Sequence, residues 1–263
     1  MSADTSSAKP HVENKATLVE YLEAGSKPKD KWRIGTEHEK FVYHLADLSP
    51  LEYEGPAGVR ALLDGLTRFD WEPVLEGGNP IAMSKPDGSF ISLEPAGQLE
   101  LSGAPVETIH QTCDEVTSHL QQVKAVVREM NLGFIGLGYH PKGTASDMPW
   151  MPKGRYAIMR EYFASLGDPG HLAHTMMQRT LSVQVSLDFS SGDEAAEMLR
   201  VAFLVSPIAT ALFAASPFDG PEESKFLSVR AQAWRFTDPK RAGEVTASAN
   251  PGATLKDYAE YAL

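Results

Sequence analysis

WRIGTEHEKF (32–41) and SLEPAGQLELSG (92–103) are the two stretches from which the rest of the chain is best read. Glu37 and Glu39 alternate with His38, so in an extended strand both carboxylates point to one face, roughly 7 Å apart at about 3.3 Å per residue. His38 falls on the opposite face. With no second His four residues on, the helical HExxH zinc pattern is absent, which disfavours a zinc protease.

In the second stretch Gln98 and Glu100 share one face while Leu99 and Leu101 share the other. Pro95 and Gly97 interrupt the alternation, which predicts a bulge or kink that re-aims Glu94 toward a ligand. Carboxylates gathered on one face repel one another unless cations lie between them. Glu37, Glu39, Glu94 and Glu100 are therefore candidate Mg2+ ligands, since Mg2+ takes one or two carboxylates per ion and completes its shell with water and phosphate oxygens. The competing reading is solvated glutamate on an exposed sheet face.

Outward from these stretches, strand and helix signals alternate. A polar leader and a short helix, 16–24, occupy the first 30 residues. A helix is expected over 57–66, and Pro86-Asp87-Gly88 reads as the turn of a hairpin joining 80–85 to 89–93. After Pro105 a long helix carries Ile109, Cys113, Val116, Leu120, Val123, Val127 and Met130 as an apolar stripe facing a core, which makes Cys113 a small buried hydrophobe. The glycines of 131–139 read GxxGxG without a following helix, so the dinucleotide fingerprint fails; they are expected to let a strand run close to other backbone. SVQVSLDF (182–189) is the cleanest strand pattern, with Val183, Val185, Leu187 and Phe189 toward a core. A helix over 193–215 is expected to kink at Pro207. Hairpins, alternation and flanking helices imply an α+β fold on a largely antiparallel sheet.

With 263 residues and 42% hydrophobic content the chain can bury one large domain or most of one. No apolar run of ~20 residues stands out and the start lacks the order of a secretory signal, so the expectation is a cytoplasmic protein without a membrane partner. The net charge of −11 disfavours nucleic acid. ATP stays compatible with that charge because bound Mg2+ inverts the local sign. Cys113 is the single cysteine, so no intrachain disulfide forms.

The runs WRIGTEHEKF, ISLEPAGQLELSGAPVETIHQTCDEV, MPWMPKGRYAIMREY, SVQVSLDFSS and PIATALFAASPF, in order and with compatible spacing, resemble glutamate-cysteine ligase of the plant and alphaproteobacterial type. The resemblance implies a curved antiparallel sheet with helices outside, of the glutamine synthetase and guanidino kinase catalytic type, with residues 31–263 forming the N-terminal part of one ligase domain. It implies Mg2+- and ATP-dependent joining of glutamate to cysteine through γ-glutamyl phosphate, as in glutathione biosynthesis. It places Glu37, Glu39, Glu94 and Glu100 at the metal and hence ATP, and Arg155 and Arg230 at the glutamate carboxylate. Arg179, Thr180 and Gln184 are further substrate-binding candidates, because a guanidinium fork suits carboxylates and the other two offer polar contacts.

The chain departs from the family pattern at Ala96, Leu181 and Val229. The downstream partner of the cysteine that forms a regulatory disulfide in plant members is also missing. The last helix is expected to start at Thr254 and run to Leu263 without a stop signal. Since family members continue well beyond, the chain is expected to be incomplete. Two other readings stay open: a related ligase using a different amine, and a non-catalytic Mg2+- or nucleotide-binding fragment.

Overall fold

The computed structural model describes residues 14–243 and 245–263. In chain order the elements are α1 (Lys15–Glu23), β1 (Ile34–His44), α2 (Val59–Leu66), β2 (Glu72–Glu76), β3 (Asn79–Ser84), β4 (Phe90–Leu93), β5 (Leu99–Ser102), α3 (Ile109–Glu129) and β6 (Leu132–Ile135). They continue with α4 (Gly154–Ser165), α5 (Ala173–Arg179), β7 (Val183–Leu187), α6 (Gly192–Leu212), β8 (Phe218–Asp219), β9 (Glu222–Glu223), α7 (Val229–Arg235), α8 (Thr246–Ala249) and α9 (Leu255–Ala262). This is a mixed α and β architecture on a mostly antiparallel sheet, as the alternation implies. Residues 1–13 of the expected leader lie outside the described residues.

The chain divides into two compact units. The smaller holds 14–32, Asp188–Ala209 and the segment from 245 onward. There α1 packs on α9, and Lys27 Nζ pairs with Asp188 at 2.7 Å. Asn14 caps α1 by accepting from the Thr17 N–H, and Thr254 with Asp257 forms the capping box that starts α9 as its sequence predicts.

The larger unit, Arg33–Leu187 with Thr210–Gly243, is built around β1. All its main strand pairings are antiparallel, in the order β2-β3-β4-β5-β1-β6, with β7 also paired to β1. The N-terminal half of β1 lies between β5 and β7, and its C-terminal half pairs with β6. Period-2 alternation then sorts the faces. Ile91, Leu93, Leu99, Leu101 and Val42 are buried on the back, packed with Leu62, Leu63 and Leu66 of α2 and Val123, Val126 and Val127 of α3. Trp71, Met151 and Tyr156 complete that core.

The β3–β4 and β4–β5 loops use the same device. Gly88 N–H donates to Lys85 O (3.1 Å) and Lys85 N–H to Ser89 O (3.0 Å), with Gly88 at φ +92°. Gly97 N–H donates to Glu94 O (2.9 Å) and Glu94 N–H to Gln98 O (2.9 Å), with Gly97 at φ +82°. Proline suits the first position of such a turn and glycine the left-handed one. The strained position is thus Gly97, and the methyl of Ala96 meets no positive φ.

Three expectations are corrected. Cys113 is exposed, as is Ile109, while Thr112 and His119 are buried instead. The buried face of α3 runs through Thr112, His119, Val123 and Val126, and at 100° per residue Cys113 points about 100° away from Thr112, at the edge of that face. β7 is exposed along its whole length, including Val183, Val185 and Leu187. Alternation reports which side chains share a face and carries nothing about whether that face is covered. Helix α6, with Pro207 inside it, is by length and composition alone apolar enough to cross a membrane, where the sequence reading found no such run. Gly133 does sit at a close approach, but its neighbour is the ring of Tyr43 across the strand pair.

Candidate functional site

Cross-strand register brings the carboxylates together. Glu39 lies directly opposite Glu100, Glu37 opposite Ser102, and Ser92 opposite Glu100 from the other side. Glu94 continues the Ser92 face at the start of the 94–98 turn. All four acids therefore lie on the front of one sheet, with the apolar core behind it. Like charges directly opposite one another in an antiparallel pair are destabilising, so the arrangement is held against its own repulsion.

Three of the acids are held by neighbours within or beside the sheet. Glu100 accepts from Ser102 Oγ (2.8 Å) and Ser92 Oγ (3.0 Å). Glu39 accepts from the Ser182 N–H (2.7 Å) and from its Oγ (3.2 Å). Ser182 is in reach because Gln98 Nε2 donates to the carbonyls of Met177 and Thr180, docking the segment after α5 onto β5. Opposite Glu94, Lys153 Nζ and Tyr156 Oη both donate to Leu93 O, at 2.7 and 2.6 Å. That anchors the start of α4 and brings Arg155 Nη2 to 3.6 Å from Glu94. The stem of Arg230 passes over Gly138, and its Nε donates to Leu181 O (3.0 Å).

The titration behaviour reports the crowding. Burial, then the Glu100 charge, pushes Glu94 up to about 7, against the pull of Arg155 and Lys153. Burial followed by Glu100 also raises Glu37, and burial raises Glu39 despite the Ser182 N–H. Burial, then Arg155, brings Lys153 down to about 8. Among the described residues no three His, Cys, Asp or Glu side chains are grouped to hold an ion. Mg2+ needs only one or two carboxylates with water and phosphate oxygens, so hard oxygens in mutual repulsion fit it when a phosphate supplies the remaining ligands.

A prediction follows from Glu94. Its folded value lies above the unfolded 4.5, so the native chain binds more protons between about pH 4.5 and 7, and this group's stabilisation is present below that window and lost as pH rises through it. Glu94→Gln should melt with the parent near pH 4.5 but be more stable at pH 8 by about 1–3 kcal/mol. Melting curves across that range check this. A gap that does not widen with pH would mean that Glu94 is not strained.

The other candidates are placed differently. Gln184 lies opposite Glu37 on the front face, exposed. Arg179 is 3% exposed, donates from Nε and Nη2 to His140 O, pairs through Nη1 with Asp219 at 2.9 Å and stacks on Tyr139. All three of its nitrogens are engaged inside the protein, so it serves as an anchor and is not brought to the carboxylates. The Thr180 hydroxyl donates to Met176 O (2.6 Å) and is likewise spent on the fold. Two surface cavities lined by 141–145, Thr175, Arg179 and 219–221 include none of the four acids. Ser182 and Lys153 were missed. Lys153 stands two residues before Arg155 in MPKGRY, and alternation puts Ser182 on the polar face of 182–189 together with Gln184, so both carried a local signal.

Residues 33–263 match a family model described as glutamate-cysteine ligase family 2 (GCS2). The chain belongs to this family. It is 49% identical to the chloroplastic glutamate–cysteine ligase of Medicago truncatula over 250 residues, 95% of this chain and 48% of the relative. Its identity to that of Nicotiana tabacum is 50%, over 95% of this chain and 47% of the relative. The Arabidopsis thaliana protein is 49% identical, with 94% and 46% covered. The chain thus spans about half the length of the curated relatives it matches. These relatives of the glutamate-cysteine ligase family are named chloroplastic, which overturns the cytoplasmic expectation drawn from the unremarkable N-terminal composition.

Proposed function

We propose that this chain carries the metal and glutamate half-site of an enzyme that ligates the γ-carboxylate of glutamate to the amine of cysteine at the expense of ATP, the opening reaction of glutathione synthesis. The observation that carries the reading is the front face of the sheet: four acids in repulsion, flanked by Arg155 on one side and Arg230 on the other. Membership of the ligase family supports the substrates. The front-and-back division of the sheet, with α2 and α3 behind, supports the glutamine synthetase and guanidino kinase type of fold. The match over 33–263, with about half of each relative covered, supports reading that span as part of one ligase catalytic domain.

Glu37, Glu39, Glu94 and Glu100 would hold Mg2+, whose charge would offset that building on the transferred phosphoryl group. The glutamate γ-carboxylate oxygen attacks the γ-phosphorus of ATP, and ADP leaves. The cysteine amine then attacks the acyl carbon, losing a proton as phosphate departs. Arg155 and Arg230 would orient glutamate through its carboxylate, with Gln184 at the rim. No side chain is needed as nucleophile, because both substrates bring their own, and the work of the protein is positioning and charge compensation.

The test is ADP release from Mg2+-ATP with glutamate, with and without cysteine, alongside calorimetry of Mg2+-ATP binding. Cysteine-dependent release is expected. Release only with another amine would move the chain to a different ligase, and binding without release would leave a nucleotide-binding module.

A further inference from the structure

Behind the carboxylates, the back of β1 is polar where it meets α3. Among the described residues seven buried side-chain polar atoms lack a hydrogen-bond partner, and six of them lie on these two packed elements. They are Thr36 Oγ1 and His38 Nε2 on one face of β1, and Thr112 Oγ1, Glu115 Oε2 and both ring nitrogens of His119 on α3. The α3 positions, spaced i, i+3 and i+7, share one helix face. Thr36, Thr112 and His119 are all more than nine-tenths buried. Chance would scatter such atoms through the core, where buried polar groups are almost always paired.

The local hydrogen bonds join the two sets. Gly103 N–H donates to Thr36 O (2.8 Å), and the next residue, Ala104, donates its N–H to Glu115 Oε1 (2.6 Å). The hydroxyl of Thr36 and the second carboxylate oxygen of Glu115, whose side chain also interacts with Ser89, are thereby held at one end of the seam between β1 and α3, here called the groove. At the other end His119 lies edge-on to Trp71, and the charges nearest it are those of Lys40, His38 and Lys85. Lys40, also buried, donates to His38 O (2.9 Å). Burial, then those neighbouring cations, takes His119 down to about 2, so its ring is neutral, with one donor and one acceptor nitrogen.

The composition of the groove selects its ligand. An anion would meet the carboxylate of Glu115, and a cation would meet the ammonium of Lys40. Water both donates and accepts, and typically makes about three hydrogen bonds in such sites. We propose that a row of ordered waters is bound between α3 and the back of β1, held by Thr36, His38, Thr112, Glu115 and His119. The row spans about 10 Å, the rise of seven helical residues from Thr112 to His119. It backs the strand whose front carries Glu37 and Glu39.

The sign of a stability change separates a wet groove from a dry one. Thr→Val keeps the shape and removes the hydroxyl. If waters are bound, Thr36→Val and Thr112→Val strip them of partners, and each should lower the melting temperature by about 2–4 °C. If the groove is dry, the same changes relieve unpaired hydroxyls and raise it. Oxygen-17 relaxation dispersion on the unmodified chain should show long-lived internal waters, with the amplitude reduced in the double variant and retained in Thr112→Ser. Absence of that dispersion in the unmodified chain, a melting temperature raised by the valines, or stabilisation by added chloride or Mg2+ that the valines abolish would each overturn the proposal.

Discussion

Glu39→Gln is expected to weaken Mg2+-ATP binding by about a hundredfold or more while leaving the melting temperature unchanged or higher. Changing only the outer partners of metal ligands typically costs 10–100-fold in affinity, so neutralising a ligand belongs at or beyond the top of that range. A hundredfold is about 2.7 kcal/mol. Stability moves the other way because Glu39 faces Glu100 directly across the β1–β5 pair, and one of two opposed charges is removed. The amide oxygen can keep the Ser182 N–H bond, so the loop after α5 stays in place. Calorimetry of Mg2+-ATP on parent and variant, with melting curves of both, checks the two halves. Unchanged nucleotide affinity would remove the metal assignment. A collapsed melting curve would show that Glu39 is a structural residue.

Arg230→Lys should reduce glutamate affinity by about 10–150-fold, the worth of one charge-assisted hydrogen bond of roughly 1.5–3 kcal/mol. The guanidinium uses Nε on Leu181 O, and its Nη atoms make no hydrogen bond among the described residues. A planar fork with one side anchored and two donors free is pre-organised for a carboxylate in a way an ammonium is not. Arg230 is half-buried and its charge interacts with that of Glu39, so the positive charge at this place offsets part of the repulsion on the sheet. The lysine variant retains the charge and isolates the fork. Isothermal titration with glutamate reads the effect, and an affinity within twofold of the parent would place substrate recognition elsewhere.

Glu37, Glu39 and Glu100 were legible because alternation is local: neighbours two apart in a strand share a face whatever surrounds them. Pro86-Asp87-Gly88 was legible for the same reason, since the turn is closed within five residues, whereas Pro95-Ala96-Gly97 read as a bulge or kink in one strand and instead closes a hairpin between β4 and β5. Arg155 and Arg230 became candidates through family resemblance, and the fold then placed both beside carboxylates. Arg179 and Thr180 show the limit of residue type as a guide. Both look like ligand contacts in the sequence, yet Thr180 donates to a backbone carbonyl and Arg179 to a backbone carbonyl and the Asp219 carboxylate, all brought close by folding.

The amino-acid order alone determined the strand faces, the Pro86-Asp87-Gly88 turn, the Thr254 cap and the family, because each depends on side chains a few positions apart or on whole motifs. Tertiary structure decided which faces are covered, leaving β7 and Cys113 exposed. It also decided which acids oppose each other, Glu39 against Glu100, and which distant groups, Ser182 and Lys153, hold them. Those outcomes depend on pairings between segments tens of residues apart. Coverage and charge compensation are properties of the partner as much as of the residue.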